Sequence, residues 1–297
     1  AGIALACAPK KDPIYAVKLG GKGKLNDGAL AWVSNDQRSL SSDVPTPAFA
    51  YEDFFILSDV RGALSRVHPK TGEIKWSLEL PGRSKFEASP LVADGKVYLF
   101  DYVKREGQLK NNPSGKNLLE GRERLLCLDA ATGATEWVYD YLQYYNLSYA
   151  AGPRSTPTVH QGKVYILGAE GRLSCLSAKD GKLIWYKDFK KDYDIETPIW
   201  GFSSHPLAKG DTLYSLVGGA GSVLVAFDAD TGDEKWRALS APEPGYGPPT
   251  WIEHGGVSQL LIWHPESLNS LNPETGESHW SIPLKPGYNL SIAAPRL

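Results

Sequence analysis

The stretch Leu128-Asp-Ala-Ala-Thr-Gly-Ala-Thr-Glu-Trp137 decides the fold, because it recurs. Four relatives surround it: Val67-His-Pro-Lys-Thr-Gly-Glu-Ile-Lys-Trp76, Leu176-Ser-Ala-Lys-Asp-Gly-Lys-Leu-Ile-Trp185, Phe227-Asp-Ala-Asp-Thr-Gly-Asp-Glu-Lys-Trp236 and Leu271-Asn-Pro-Glu-Thr-Gly-Glu-Ser-His-Trp280. Each reads apolar, short polar, two spacers, Thr or Asp, Gly, three residues, Trp. An early Asp or Asn bonds the backbone two residues on, and Gly supplies a positive φ. The unit is a tight hairpin, with the Trp on its second strand.

Upstream of each phrase lies another pair of strand-like runs, most opening with Pro, such as Ser89-Pro-Leu-Val and Val97-Tyr-Leu-Phe100. Two-residue hairpin signals join these runs at Asp94-Gly, Gln161-Gly, Gly210-Asp and Gly255-Gly. Each repeat is therefore four antiparallel strands, a to d, which is one β-propeller blade. Trp32, Trp76, Trp137, Trp185, Trp236 and Trp280 fall at the repeat position in six d strands, 44, 61, 48, 51 and 44 residues apart. Passing from Trp280 through the C-terminus to Trp32 takes one more blade length. The expectation is one all-β domain, 1–297, a propeller of six four-stranded blades at about 289–297 plus 1–43, 44–85, 86–148, 149–196, 197–246 and 247–288. The last blade would close when the C-terminal strand a, Ile292-Ala-Ala-Pro-Arg-Leu297, pairs with N-terminal strands b–d. The alternative is a fragment of an eight-bladed ring. Methionine is absent even at position 1, which reads as a processed, trimmed or edited chain.

Six of the nine Trp occupy one repeat position, so their expected role is structural. A buried indole removes roughly 150–250 Å² from water, an upper bound of about 4–6 kcal/mol at 25 cal/mol per Å². Lys+Arg 32 against Asp+Glu 34 gives a net charge of −2, which provides no footprint for nucleic acid. No apolar run approaches the length of a membrane-spanning helix, and the expected state is a monomer.

The docking phrase, repeated with a Val-Tyr strand before it, resembles the tryptophan-docking repeat of PQQ-like (quinoprotein alcohol dehydrogenase-like) β-propellers. Ile262-Trp-His-Pro-Glu266 and Thr197-Pro-Ile-Trp-Gly-Phe202 look most like exported bacterial, planctomycete-type PQQ-like repeat proteins. The resemblance implies a periplasmic or extracellular protein. Its members include PQQ-dependent dehydrogenases and the propeller lipoprotein of the outer-membrane barrel-assembly machinery. The dehydrogenases usually carry eight blades, adjacent cysteines, and a Glu, Asn and Asp set holding calcium under the quinone. Cys7, Cys127 and Cys175 lie far apart here, and none of the calcium or catalytic positions can be matched. No catalytic residue, metal or cofactor is therefore assigned; the alternative is a PQQ- and calcium-dependent dehydrogenase or a degenerate relative.

Cys127 and Cys175 share one repeat position and read as small buried thiols. Ala4-Leu-Ala-Cys7 loosely resembles a lipoprotein processing site, which would make Cys7 an acylated anchor. The six His show no metal spacing, and Gly20-Gly-Lys-Gly-Lys24 lacks the Ser or Thr of a phosphate loop. The b–c and d–a connections collect aromatics, Arg and His on one face, and such loops mark binding surfaces. The longest insertion, 103–124, reads as a charged b–c loop containing Arg105, and 141–146 as a d–a loop. On that face the binding candidates are His264 and Glu266, then Arg154, His205, Trp200 and Glu170, with Tyr246, Tyr288 and Arg105. A mixed-charge, aromatic-lined mouth suits a protein segment or a small polar ligand. The reading is a non-enzymatic binding scaffold.

Overall fold

The computed structural model describes residues 2–7, 12–34, 40–58, 62–80, 87–104, 118–147 and 151–295. In the central phrase, Asp129 Oδ1 accepts both the N–H and the hydroxyl of Thr132 at 2.7 Å, and Ala134 N–H donates to Thr132 Oγ1. Gly133 closes the turn at φ +76°. Asp228 repeats this geometry with the N–H groups of Asp230 and Thr231, and Asn272 with that of Glu274. The short polar residue, the Thr and the Gly are thus one turn, specified by side-chain-to-backbone bonds. A register shift beside the turn, between Cys175 and Leu176, between Ala226 and Phe227 and between Ser270 and Leu271, marks a β-bulge in the hairpins that turn at Gly181, Gly232 and Gly276.

The chain divides into two compact units, residues 1–110 with 119–144, and residues 111–118 with 145–297. The first contains three sheets. One pairs β1 (Ile3–Ala6), β2 (Tyr15–Lys18) and β3 (Leu30–Val33); the next, β4 (Ala48–Ala50), β5 (Asp53–Ser58), β6 (Ala63–Val67) and β7 (Ile74–Glu79). The third pairs β8 (Leu91–Ala93), β9 (Lys96–Lys104), β10 (Leu119–Asp129) and β11 (Thr135–Tyr145), whose last residue falls in the second unit. The second unit has three four-stranded meanders: β12 (Thr158–His160), β13 (Lys163–Leu167), β14 (Arg172–Ser177) and β15 (Leu183–Asp188); β16 (Leu207–Lys209), β17 (Thr212–Leu216), β18 (Leu224–Asp228) and β19 (Glu234–Ala238); and β20 (Thr250–His254), β21 (Val257–His264), β22 (Ser267–Leu271) and β23 (Ser278–Pro283). A one-turn helix, α1 (Phe189–Asp192), follows β15. Strands pair antiparallel within these sheets, as β9 with β10, β13 with β14, β17 with β18 and β21 with β22 do.

Three expectations change. The 103–124 insertion is not one loop: β9 runs to Lys104 and β10 starts at Leu119, so the strands outgrow those of the other sheets. Arg124 is buried and paired with Asp101, its Nε donating to Oδ1 at 2.9 Å, while Tyr141 donates its hydroxyl to buried Glu123. Buried ion pairing and alternating apolar residues extend the sheet where charge alone reads as a loop. The stretch 141–146 is likewise mostly strand. The C-terminal stretch adds no strand among the described residues, and the first sheet has three. Its backbone is engaged otherwise: Ser291 O accepts the N–H groups of Tyr246 and Gly247, and Leu290 N–H bonds Gly287 O.

Within each unit, apolar strand faces pack sheet on sheet. Phe55, Leu57, Leu64, Val97, Leu99, Leu126 and Leu128 form one core cluster, and Tyr165, Cys175, Phe189, Leu213, Val225 and Phe227 belong to another. The repeat Trp seals these joins. Trp32, Trp76, Trp185 and Trp236 donate their indole N–H to Pro69, Ala130, Ala229 and Pro273 carbonyls at 2.8–3.3 Å. Their rings lie flat on Gly72, Gly133, Gly232 and Gly276 of the next hairpin, where a Cβ would come within 2.5–2.8 Å. Glycine is required there twice over, by the positive φ and by the indole. Trp137 packs against Tyr98 at 6.0 Å. Cys127 and Cys175 are buried without partner cysteines, and burial pushes both thiols up to about 12.

Candidate ligand-binding cleft

Four segments of the second unit build a cleft of about 480 Å³: the connections carrying Trp200 with Ser203 and Tyr246, the C-terminal stretch with Leu290 and Ile292, and the connection carrying Arg154. Trp200 is set by its neighbour Phe202, which is buried against Phe189 at 5.6 Å and bonds Ala169 O through its N–H. Trp200 and Tyr246 meet at 5.8 Å with planes inclined 55°, forming an aromatic corner. Ser203 donates its hydroxyl to Tyr246 O at 3.3 Å, tying the first two connections together.

The third wall is the C-terminal stretch, clasped by the paired bonds to Ser291 O at 3.0 and 2.7 Å. The clasp needs glycine on both sides of Tyr246. A Cβ on Gly247 would stand 2.8 Å from Ala293 O, and one on Gly245 would collide with Ser291 Oγ. Tyr288 precedes this wall in a positive-φ conformation (+56°) and is 91% exposed. Arg154 donates to Gly152 O at 2.7 Å, which orients a guanidinium that carries five donors. Burial pushes the Tyr246 phenol up to about 12, and Tyr246 Oη, Ser204 Oγ and Ser291 Oγ are buried without a partner among the described residues.

Arg154, Trp200 and Tyr246 therefore come together as binding candidates, with Tyr288 beside their outer wall in sequence. His205 is exposed, yet the protein around its ring lowers its pKa by desolvation. His264 is buried in a different arrangement. Its Nδ1 accepts Glu266 N–H, so the neutral ring carries its proton on Nε2, 3.0 Å from Ser267 Oγ. Ser267 and Ser281 both donate to Asn269 Oδ1, completing a polar network across β21, β22 and β23. Desolvation lowers the His264 pKa, and Glu266 opposes that shift. Glu170 is buried as a bracket, accepting from Asn146 N–H, the Lys190 ammonium and the Thr197 hydroxyl at 2.7–2.9 Å. Arg105 lies outside the described residues. Sequence reasoning missed Leu290 and Ile292, since a C-terminal strand was expected there.

The calcium implied by the resemblance would need a converging set of carboxylate and carbonyl oxygens. Among the described residues no group of three or more His, Cys, Asp or Glu converges as a metal site, and the His264 network contributes no carboxylate oxygen. The residues do not fit that cofactor arrangement.

The family model described as "Outer membrane protein assembly factor BamB" matches residues 22–147 and 121–291. The chain belongs to this PQQ-like repeat family. The solved structure of BamB from Moraxella catarrhalis covers 96% of the chain, and the match takes in 74% of that chain, at 16% identity and a TM-score of 0.61. Quinohemoprotein alcohol dehydrogenase ADHIIG from Pseudomonas putida HK5 superposes over 82% of the chain and 42% of its own, at 18% identity and a TM-score of 0.58. These likenesses show the all-β propeller fold class. In sequence, the dehydrogenase subunit of a quinone alcohol dehydrogenase from Komagataeibacter europaeus is 28% identical over 208 residues, 64% of this chain and 24% of that protein. The dehydrogenase subunit from Gluconobacter oxydans is 27% identical over 215 residues, 63% of this chain and 25% of that protein. The chain thus spans about a quarter of the length of these two curated relatives.

Proposed function

We propose that the chain is a non-enzymatic binding scaffold that captures an extended protein segment by seating one large apolar side chain in the Trp200–Tyr246 cleft. The cleft itself carries this reading: Trp200, Tyr246, Leu290 and Ile292 line an open, mostly apolar groove of about 480 Å³, with Arg154 on its lining toward an acidic neighbour on the segment. Amphipathic aromatics beside an arginine are the composition of binding hot spots. The similarity to a family whose model is named for outer-membrane protein assembly supports a protein partner and a periplasmic or extracellular setting.

A fluorescein-labelled extended peptide, with one Trp or Phe flanked by Asp, is the probe. Titration should show saturable binding that Trp200→Ala weakens by about tenfold or more, in line with loss of an aromatic anchor. Arg154→Gln should weaken the acidic peptide more than its Asn-substituted version. Equal binding by the parent protein and Trp200→Ala would overturn the proposal.

A further inference from the structure

Two joints between the three meanders of the second unit share one plan. At the first, the Tyr165 hydroxyl and the Trp185 indole N–H both donate to Ala229 O, at 3.0 and 3.3 Å, with the rings 6.0 Å apart. At the second, the Tyr214 hydroxyl and the Trp236 indole N–H both donate to Pro273 O, at 3.0 and 3.2 Å, with the rings 5.8 Å apart. Strand register makes further positions equivalent. Lys163 of β13 matches Thr212 of β17, and Ala208 of β16 matches Trp251 of β20. In the docking phrases Asp230 matches Glu274.

The joints differ at those positions. At the first, the Lys163 ammonium pairs with Asp230 and straps β13 to the next hairpin. At the second, Thr212 replaces the lysine, and the exposed Glu274 carboxylate has no ion pair among the described residues. Lys235 is committed elsewhere, with its Nζ 2.9 Å from Asp211 Oδ1 and 3.2 Å from Thr212 Oγ1. Ala208 gives way to Trp251, whose ring lies 6.3 Å from that of Tyr214 at 50°. The Trp251 indole N–H is buried without an acceptor among the described residues, so no hydrogen bond docks this ring as one docks Trp185 and Trp236.

An open pocket of about 410 Å³ results, lined among others by Tyr214, Trp236, Trp251, Glu274 and Lys209. Pro273 O already takes the polar tips of Tyr214 and Trp236, so what these side chains offer the pocket is π surface, which is electron-rich. One cation is at the site already: Lys209 Nζ stands 5.1 Å from the centre of the Trp251 ring. Lys209 is exposed and makes no ion pair with Glu274.

We propose that this pocket binds a small organic cation bearing a methylated ammonium group, with Trp251, Trp236 and Tyr214 as aromatic walls and the Glu274 carboxylate as counter-charge. The ligand supplies the positive charge that Lys163 supplies at the first joint, and the exposed Lys209 side chain swings off Trp251 to admit it. Aromatic walls suit a methylated ammonium over a bare one, because its methyl groups are apolar and its charge still meets the ring faces. The unpaired Glu274 disfavours an anion, and a neutral ligand leaves that charge unanswered. The pocket shares no residue with the Trp200–Tyr246 cleft, and the inference does not depend on what that cleft binds.

NMR titration of isotope-labelled protein with choline chloride at constant ionic strength tests the proposal, read at the Trp251 indole N–H signal and assigned by its loss in Trp251→Phe. Choline should give a saturable shift in the millimolar range, and its uncharged carbon analogue neohexanol should bind at least about tenfold more weakly. Glu274→Gln lies on an exposed turn, so it should keep the parent's melting temperature while weakening choline by about fivefold and leaving neohexanol unchanged. Lys209→Gln removes the competing cation and should tighten choline by about threefold. No saturable choline shift, equal binding of choline and neohexanol, parent-like choline binding by Glu274→Gln, or no tightening in Lys209→Gln would each overturn the proposal.

Discussion

Replacing Gly232 by Ala isolates what the docked tryptophans contribute. The substitution costs energy in two ways. Gly232 sits at φ +76°, where an L-residue is disfavoured by about 1–2 kcal/mol. Its new Cβ would also stand 2.7 Å from Cδ2 and 2.8 Å from Cε3 of Trp185, well inside the roughly 3.5–4.0 Å optimum for carbon pairs. The indole must move by about an ångström, which overpacks the join at about 1–3 kcal/mol and endangers the Trp185 bond to Ala229 O. The expected total is about 3–5 kcal/mol. Gly162→Ala supplies the reference, because Gly162 has φ +72° in the same unit but nothing within 4 Å of the added Cβ. It should cost only the backbone strain, about 1–2 kcal/mol. Both changes restrict the unfolded chain equally, so that effect cancels in the comparison. Urea unfolding followed by tryptophan fluorescence should place Gly232→Ala about 2–3 kcal/mol below Gly162→Ala, or roughly 5–10 °C lower in Tm for a unit of this size. If the two variants agree within about 0.5 kcal/mol, the indole-on-glycine contact is not what joins the sheets.

Tyr246→Phe removes a buried hydroxyl that has no partner among the described residues, so stability by denaturant titration should stay level or rise by up to about 1 kcal/mol. Asp101→Asn should destabilise the first unit by about 3–5 kcal/mol on thermal unfolding, since it removes the carboxylate charge that faces the buried Arg124 guanidinium. His264 is held below its unfolded pKa by burial, so the unfolded chain binds protons first as pH falls. Its contribution should be complete above about 6.5 and decline below it, and His264→Gln should flatten the measured stability-against-pH slope in that window. Native-state alkylation should modify exposed Cys7, though more slowly than a free thiol because desolvation raises its pKa, while buried Cys127 and Cys175 react only on unfolding.

The hairpins were readable in the sequence because each needs several residue types at fixed spacing, and every one has a local task. Asp129 binds Thr132, Gly133 adopts a conformation other residues resist, and the neighbouring Trp76 requires that same glycine to be bare. The cleft was only half readable. Trp200, Tyr246 and Arg154 stand out as aromatic and basic residues on connections, but Leu290 and Ile292 look like an ordinary strand. What makes them a wall is Ser291 O, fastened to the backbone at Tyr246 and Gly247, and a backbone carbonyl leaves no trace in residue type. Glu170 fails from the opposite direction. A lone acidic residue on a turn looks available for a ligand, yet three donors from distant connections already use both its oxygens. The same reasoning separates the nine tryptophans. Indoles that find a carbonyl and a bare glycine hold sheets together, as Trp185 and Trp236 do. Trp200 instead shares a cleft with Tyr246, and Trp280 presents its ring on an uncharged outer strand. A tryptophan's role in this chain is therefore set by what its N–H and its ring face meet.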